Sequence, residues 1–272
     1  MQARVTIGIV VVGALLFGVL LRIESVTSLL RIEYTAGVAD SILPPVVSAR
    51  NVLVYNVTTN DVVYGRRIRE VRPIASITKL VTAYAAYTSA SLDTPGSITW
   101  EDLATEGEAG SLAYGNVYTP RELLFPLLLL SSNDAGVAIL RLVGEGVFQE
   151  RVASVVQGAR LSHTDIVDST GLSIQNVSTV EDLRNLILYL KEYAPHLLDI
   201  TRLSSYQGVY AGWLNNNPGV AFTEWRGGKH GYLPSAGRTF VGLYEKDHEY
   251  VVALLGSADL ERDITAILET LE

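Results

Sequence analysis

The chain has 272 residues, 48% of them hydrophobic, enough to bury one large core or two modest domains, and nothing in its composition points to disorder. Its formal charge of -8 argues against a nucleic-acid partner, because phosphate binding needs a basic stripe and the cations cluster only at Arg66-Arg67 and Arg69. Cysteine is absent, which rules out disulfides and thiolate metal sites.

Val5 to Leu21 carries no charge, is bracketed by Arg4 and Arg22, and lies at the short end of what spans a bilayer. The small-x-small site Gly37-Val38-Ala39 is too far from this run for ordinary processing, so residues 1–22 are expected to form an uncleaved transmembrane anchor. Arg4 and the α-amino group place the remainder outside the cytoplasm as a single-pass protein. Residues 23–45 close on Pro44-Pro45 and read as a stalk. The folded domain is expected over 46–272.

Asn51 to Asn56 alternates and is rich in Val and Tyr, Thr58-Thr59-Asn60-Asp61 is a turn, and Val62 to Tyr64 resumes the strand pattern, which together predict a hairpin. Pro73-Ile74-Ala75-Ser76-Ile77-Thr78-Lys79 then opens an apolar run of helical period, with Pro73 suited to a first helical turn. In that helix Ser76 and Lys79 lie one turn apart on one face. A serine at a helix N-terminus meets free N–H groups and the positive end of the macrodipole, and a buried lysine loses its proton more easily. Ser-x-x-Lys alone is a loose pattern, so its weight depends on partners downstream.

Thr119-Pro120-Arg121-Glu122 is a capping box opening a helix over Pro120 to Leu130. Ser131-Ser132-Asn133-Asp134 supplies a turn and a new N-cap, followed by a helix from Ala135 to Val143. Asp168-Ser169-Thr170-Gly171 reads as a turn. Ser178-Thr179-Val180-Glu181 reads as a second capping box, opening a helix that stops before Pro195. From Phe222 the pattern returns to strands, with Thr239 to Tyr244 and Tyr250 to Leu255 joined by a hairpin loop, and Glu261 to Leu271 is an amphipathic helix. Strands, a helical block, then strands again imply an α+β fold with a mostly antiparallel sheet.

Ser76 and Lys79, then Ser131-Ser132-Asn133, then Gly228-Lys229-His230-Gly231 resemble, in this order, the Ser-x-x-Lys, Ser-x-Asn and Lys-Thr-Gly boxes of the serine penicillin-recognising enzymes. With Ser169-Thr170-Gly171-Leu172 and Ser178-Thr179-Val180-Glu181-Asp182-Leu183, the likeness is to the D-alanyl-D-alanine carboxypeptidases among the low-molecular-mass penicillin-binding proteins, over residues 46–258. Each residue alone has a structural explanation, Ser131 and Asn133 as helix caps and Lys229 as a solvated strand residue. Jointly they favour a site.

The resemblance implies a DD-peptidase/β-lactamase-like fold and acyl transfer on peptidoglycan stem peptides. Ser76 would attack the carbonyl of the penultimate D-alanine, Lys79 would take its proton, Ser131 would relay a proton to the leaving amine, and Asn133 would orient Lys79. The N–H groups of Ser76 and Tyr232 would form the oxyanion hole, and Lys229, with His230 and Gly231 on the same strand edge, would hold the terminal carboxylate. β-Lactams would acylate Ser76 as mimics, and neither metal nor cofactor is called for. The histidines His163, His196, His230 and His248 show no ligand spacing.

His230 stands where the family has threonine, and is expected to add a pH dependence near neutrality. The sequence after the third box leaves no room for the small β-rich second domain, or the C-terminal membrane helix, of many family members. DD-endopeptidase activity on cross-links is therefore an alternative, as is a catalytically weak, membrane-tethered peptidoglycan-binding module in which His230 blocks the pocket. A class A β-lactamase would need a Glu-x-x-Leu-Asn setting before the third box, which is missing.

Overall fold

The structure, a computed structural model, describes residues 45–271. The expected anchor, and the stalk up to Pro44, lie outside these residues; among the described residues no helix is long and apolar enough to cross a membrane.

Strands β1 (Asn51–Asn56) and β2 (Asp61–Arg66) form the expected hairpin, followed by the two-residue strand β3 (Arg72–Pro73) and helix α1 (Thr78–Tyr87). Strand β4 (Gly96–Ser97), helix α2 (Trp100–Leu103) and strand β5 (Val117–Tyr118) precede α3 (Pro120–Leu129), α4 (Asn133–Val143) and α5 (Glu145–Gly158). After β6 (Val177–Ser178) come α6 (Val180–Tyr193), α7 (Pro195–Arg202) and a small hairpin of β7 (Ser205–Gln207) and β8 (Gly212–Leu214). Strands β9 (Trp225–Leu233), β10 (Gly237–Glu245) and β11 (Glu249–Ser257) and helix α8 (Leu260–Leu268) end the chain. The fold is α+β.

The main sheet is antiparallel, in the order β2-β1-β11-β10-β9. Alternation along its strands sorts side chains onto two faces, both covered. Leu53, Tyr55, Val241, Leu243, Val251, Ala253 and Leu255 pack against the helical block, while Val52, Val54, Phe240, Tyr244, Val252 and Leu254 pack against Leu260, Ile264 and Ile267 of α8. This is why all six residues of β1 are buried. Where the chain enters the domain, the buried Asp263 carboxylate accepts hydrogen bonds from the Ser48 N–H (2.7 Å), the Ala49 N–H (2.9 Å), and the hydroxyls of Ser48 (2.8 Å) and Ser257 (2.7 Å).

Local expectations differ at two helix starts. Pro73 does not open the Ser76 helix: Arg72–Pro73 pairs with Val177–Ser178, and α1 begins only at Thr78, after a 3-10 turn over Ala75–Ile77. At the second, Thr179 rather than Ser178 caps α6, its side chain accepting from the Asp182 N–H at 3.0 Å. Ser178 is held in β6, its hydroxyl 2.8 Å from that of Thr164, and Glu181 reaches Arg69 at 3.1 Å instead of its own helix end. Both differences come from strand pairing between distant segments. Helices α5 and α7 and the β7–β8 hairpin are elements that the sequence reading does not contain.

Candidate active site

Ser76 sits on the 3-10 turn between β3 and α1, half-buried, behind Ala75 at φ +49°. Two glycines from distant segments close on that turn. A Cβ at Gly171, which itself has φ +86°, would lie 2.2 Å from the Ala75 carbonyl oxygen, and one at Gly231 would lie 2.6 Å from the Ser76 nitrogen. Only a bare Cα lets the turn fit between β9 and the loop at 168–176. The Thr239 hydroxyl fastens the turn to the sheet by donating to the Ile74 carbonyl at 2.9 Å.

Lys79, on the first turn of α1, is fully buried, and three acceptors surround its Nζ: Ser76 Oγ at 3.0 Å, Asn133 Oδ1 at 2.7 Å and the Thr170 carbonyl. Burial lowers its pKa to about 7, against the opposing pull of the Asp168 and Glu108 carboxylates. At neutral pH a large share of the molecules thus carries an uncharged amine. Two N–H groups can stay on Asn133 and Thr170 while the lone pair faces the Ser76 hydroxyl, the arrangement a general base requires.

The loop that presents Thr170 and Gly171 is shaped by Asp168. Burial acts to raise its pKa, but donors overcome this and hold it below the usual carboxylate range: the N–H groups of Gly171 (2.6 Å), Ser173 (2.8 Å) and Thr170 (2.7 Å) and the Thr170 hydroxyl (2.8 Å). The result is a fixed negative charge near Lys79 and a rigid turn that aims the Thr170 carbonyl.

Asn133 and Ser131 come from the junction of α3 and α4. The Pro126 carbonyl, in the last turn of α3, accepts from both the Leu130 and Ser132 N–H groups, and Ser132 Oγ caps α4 through the Ala135 N–H at 3.0 Å. Between them Ser131 adopts φ +65° and is buried, its hydroxyl bonded to neither Lys79 nor Lys229. The Asn133 side chain bridges Lys79 to the Glu106 carbonyl (2.6 Å), and the Asn133 backbone N–H donates to the Glu108 carbonyl at 2.7 Å.

Lys229, His230, Gly231 and Tyr232 are consecutive on β9, one of the two edge strands of the sheet. Lys229 is fully buried, with its Nζ donating to the His230 carbonyl at 2.8 Å, and burial, then the charge of Lys79, pushes its pKa down. The His230 ring leaves Nδ1 buried and without a hydrogen-bond partner among the described residues. Burial, followed by the charges of Lys229, Arg238 and Lys79, drives its pKa well below 6.5. His230 is therefore a neutral imidazole at physiological pH, contrary to the expectation that it titrates near neutrality; the group poised there is Lys79. Tyr232 is exposed, with the Arg238 guanidinium 5.5 Å from its ring centroid. Sequence reasoning did not single out Arg238. Its place beside the site follows from the β9–β10 register, Arg238 opposite Tyr232, and from a charge that acts on His230.

This geometry can be set beside that of known proteins. The sequence pattern of the D-alanyl-D-alanine carboxypeptidases matches residues 39–258. The chain is 27% identical over 154 residues to the D-alanyl-D-alanine endopeptidase of Escherichia coli, covering 55% of this chain and 49% of that protein. With the endopeptidase of the same name from Pseudomonas aeruginosa it shares 32% identity over 146 residues, 52% of this chain and 47% of that one. The chain thus spans about half the length of the curated relatives it matches. Among solved structures, a D-alanyl-D-alanine carboxypeptidase from Mycobacterium tuberculosis superposes with a TM-score of 0.77 at 23% identity, over 86% of this chain and 95% of that one. A penicillin-binding protein of Listeria monocytogenes, solved in its cefotaxime-bound form, gives 0.74 at 23% identity, over 84% and 98%. At such identities the likeness of structure carries the fold, and the family pattern, running through all three boxes from Ser76 to Gly231, places this chain in the D-alanyl-D-alanine carboxypeptidase family.

Proposed function

We propose that this chain is a serine DD-peptidase that removes the terminal D-alanine of peptidoglycan stem peptides through an acyl-enzyme on Ser76. The observation that carries this reading is the Lys79 amine, brought to a pKa of about 7 at 3.0 Å from Ser76 Oγ. Ser76 Oγ adds to the carbonyl of the penultimate D-alanine as its proton passes to Lys79. The oxyanion is held by the N–H groups of Ser76 and Tyr232, and free backbone groups of edge strand β9 align the peptide as an added strand. The proton returns through the Ser131 hydroxyl to the leaving amine, D-alanine departs, and water repeats the sequence on the ester. Lys229 and Arg238, with the neutral His230 donating one hydrogen bond, receive the terminal carboxylate. β-Lactams are trapped at the ester stage.

Intact-mass measurement after penicillin treatment tests this. One adduct on Ser76, lost in Ser76→Ala, is the expected result; an unmodified wild type overturns the peptidase reading in favour of a binding module.

A second reading, DD-endopeptidase, is favoured by the names of the curated relatives. Comparing release from a pentapeptide with cleavage of a cross-linked dimer decides which bond is cut. We further propose that residues 1–22 tether the catalytic domain, 46–272, to the outer face of the cell membrane. Recovery of the protein in the soluble fraction of lysed cells, with residues 1–22 intact, would refute the tether.

A further inference from the structure

A pocket of about 220 Å³, sharing no lining residue with the Ser76 site, opens between β5, the start of α3 and the β7–β8 hairpin. Tyr118, Tyr206, Trp213, Glu122 and Gln207 stand in its wall. Tyr206 and Trp213 are cross-strand partners in the hairpin, with ring planes parallel to within 1° and centroids 6.2 Å apart. Phe125 of α3 stacks on Tyr206 at 3.5 Å, and the Asn216 N–H donates to the Leu129 carbonyl at 3.1 Å, so the hairpin is fixed to α3. The indole N–H of Trp213 is already engaged by the Gly110 carbonyl at 2.7 Å. Its ring therefore offers the pocket only carbon.

The polar groups of this wall are unevenly satisfied. Tyr118 is 2% exposed, and its hydroxyl is buried without a hydrogen-bond partner among the described residues. A buried hydroxyl in that condition costs stability, and phenylalanine would fill the same space without it. Glu122 is in the opposite condition. One of its oxygens accepts from the Thr119 N–H (2.7 Å) and hydroxyl (2.9 Å) at the positive end of α3, so its charge is compensated and the second oxygen is left as an acceptor. Gln207, exposed, adds an amide.

The ligand follows by elimination. An anion is repelled by Glu122. An organic cation, the common guest of aromatic cages, calls for a carboxylate whose charge is unanswered. A wholly apolar ring would leave the Tyr118 hydroxyl stranded. A neutral ring with C–H groups on its face, and a rim of groups that both donate and accept, matches every part of the wall, and that ring is a pyranose. Tyr210, 51% exposed, packs edge-on against Tyr118 at 5.2 Å and carries the aromatic surface out to solvent, as a chain of sugars requires. On the other side, one loop separates the pocket from the Ser131–Asn133 turn: Trp213 holds Gly110, and a Cβ at Gly110 would fall 2.4 Å from Ser132 Oγ. Resting on the peptidase reading above, we propose that this pocket binds a sugar ring of the glycan strand that carries the stem peptide, outside the cleft in which the peptide reacts.

The test titrates the full chain with tetra-N-acetylchitotetraose, a neutral saccharide, by tryptophan fluorescence and calorimetry. Wild type should bind it. Tyr118→Phe should bind about tenfold more weakly, the loss of one hydrogen bond, yet unfold at no lower temperature. Absence of binding, or equal binding by Tyr118→Phe, overturns the pocket. So does a lower unfolding temperature in Tyr118→Phe, which would give the hydroxyl a structural partner, or tighter binding of butyltrimethylammonium than of the saccharide, which would make the site a cation cage. A second arm measures D-alanine release from a pentapeptide carried on a glycan oligomer and from the same pentapeptide free. Wild type should favour the carried peptide about tenfold in kcat/KM, and Tyr118→Phe should erase most of that preference. Equal handling by wild type overturns the assignment to the glycan strand. If wild type releases D-alanine from neither, the peptidase reading fails and the saccharide titration alone decides on the pocket.

Discussion

If Lys79 is the base, acylation must follow its deprotonation. With a pKa of about 7, the neutral fraction is roughly 10% at pH 6, half at pH 7 and roughly 90% at pH 8. Acylation by a fluorescent penicillin should therefore rise about fivefold from pH 6 to 7 and less than twofold from pH 7 to 8. The same shift has a signature in stability. Unfolded, the lysine titrates near 10.5, so between about 7 and 10.5 the unfolded chain keeps a proton that the folded domain has released, and stability rises with pH across that window. Below it the folded state bears the full cost of a buried ammonium. Relative to Lys79→Met, the wild type should gain about 3 kcal/mol in urea unfolding between pH 6.5 and 9.5, from roughly 1.36 kcal/mol per pH unit over most of that span. His230→Thr should leave the acylation inflection in place, because burial and the surrounding cations hold the His230 pKa well below 6.5. A flat acylation profile from pH 6 to 8, an inflection that moves with His230, or a wild-type-to-Met difference independent of pH would refute the reasoning.

Gly231→Ala should abolish acylation and cost on the order of 2 kcal/mol, since its Cβ must displace the Ser76 backbone from 2.6 Å; thermal unfolding and penicillin labelling check both. Asn133→Ala removes the amide that joins Lys79 to the Glu106 carbonyl, and should slow acylation on the order of a hundredfold in stopped-flow labelling while the domain stays folded by circular dichroism. Asp263→Ala strands four donors at the domain entrance and should cost about 3 kcal/mol in urea titration without altering the acylation rate of the folded fraction.

Much of this site was legible because its chemistry is carried by short-range patterns. The Thr119 capping box, the polar turn at Ser131 to Asp134 and the Ser76–Lys79 spacing are each fixed within a few residues. What escaped depends on distant pairing. Pro73 reads as a helix start until Val177 is known to lie beside it, and Ser178 reads as a cap until Thr164 takes its hydroxyl. Helix α5 buries Phe148, Val152 and Val155 at a helical spacing, but Gly144, Gly146 and Gly158 read as breaks. Arg238 acquires meaning only from what faces it, and the lowered pKa of His230 depends first on burial and then on cations brought from three elements.

The position of β1 in the sheet bears on how the domain would respond to force. A pull on the chain ahead of Ser48 is first taken by the Asp263 clamp and then runs along β1, which is hydrogen-bonded on both sides, to β2 and β11. Such a load acts in shear: the rungs of both ladders resist together instead of opening one at a time like a zipper. A domain tethered from that end while it grips an extended polymer would keep its Ser76 turn, fastened to β10 through Thr239, aligned under tension that would peel away a strand loaded at the sheet's edge.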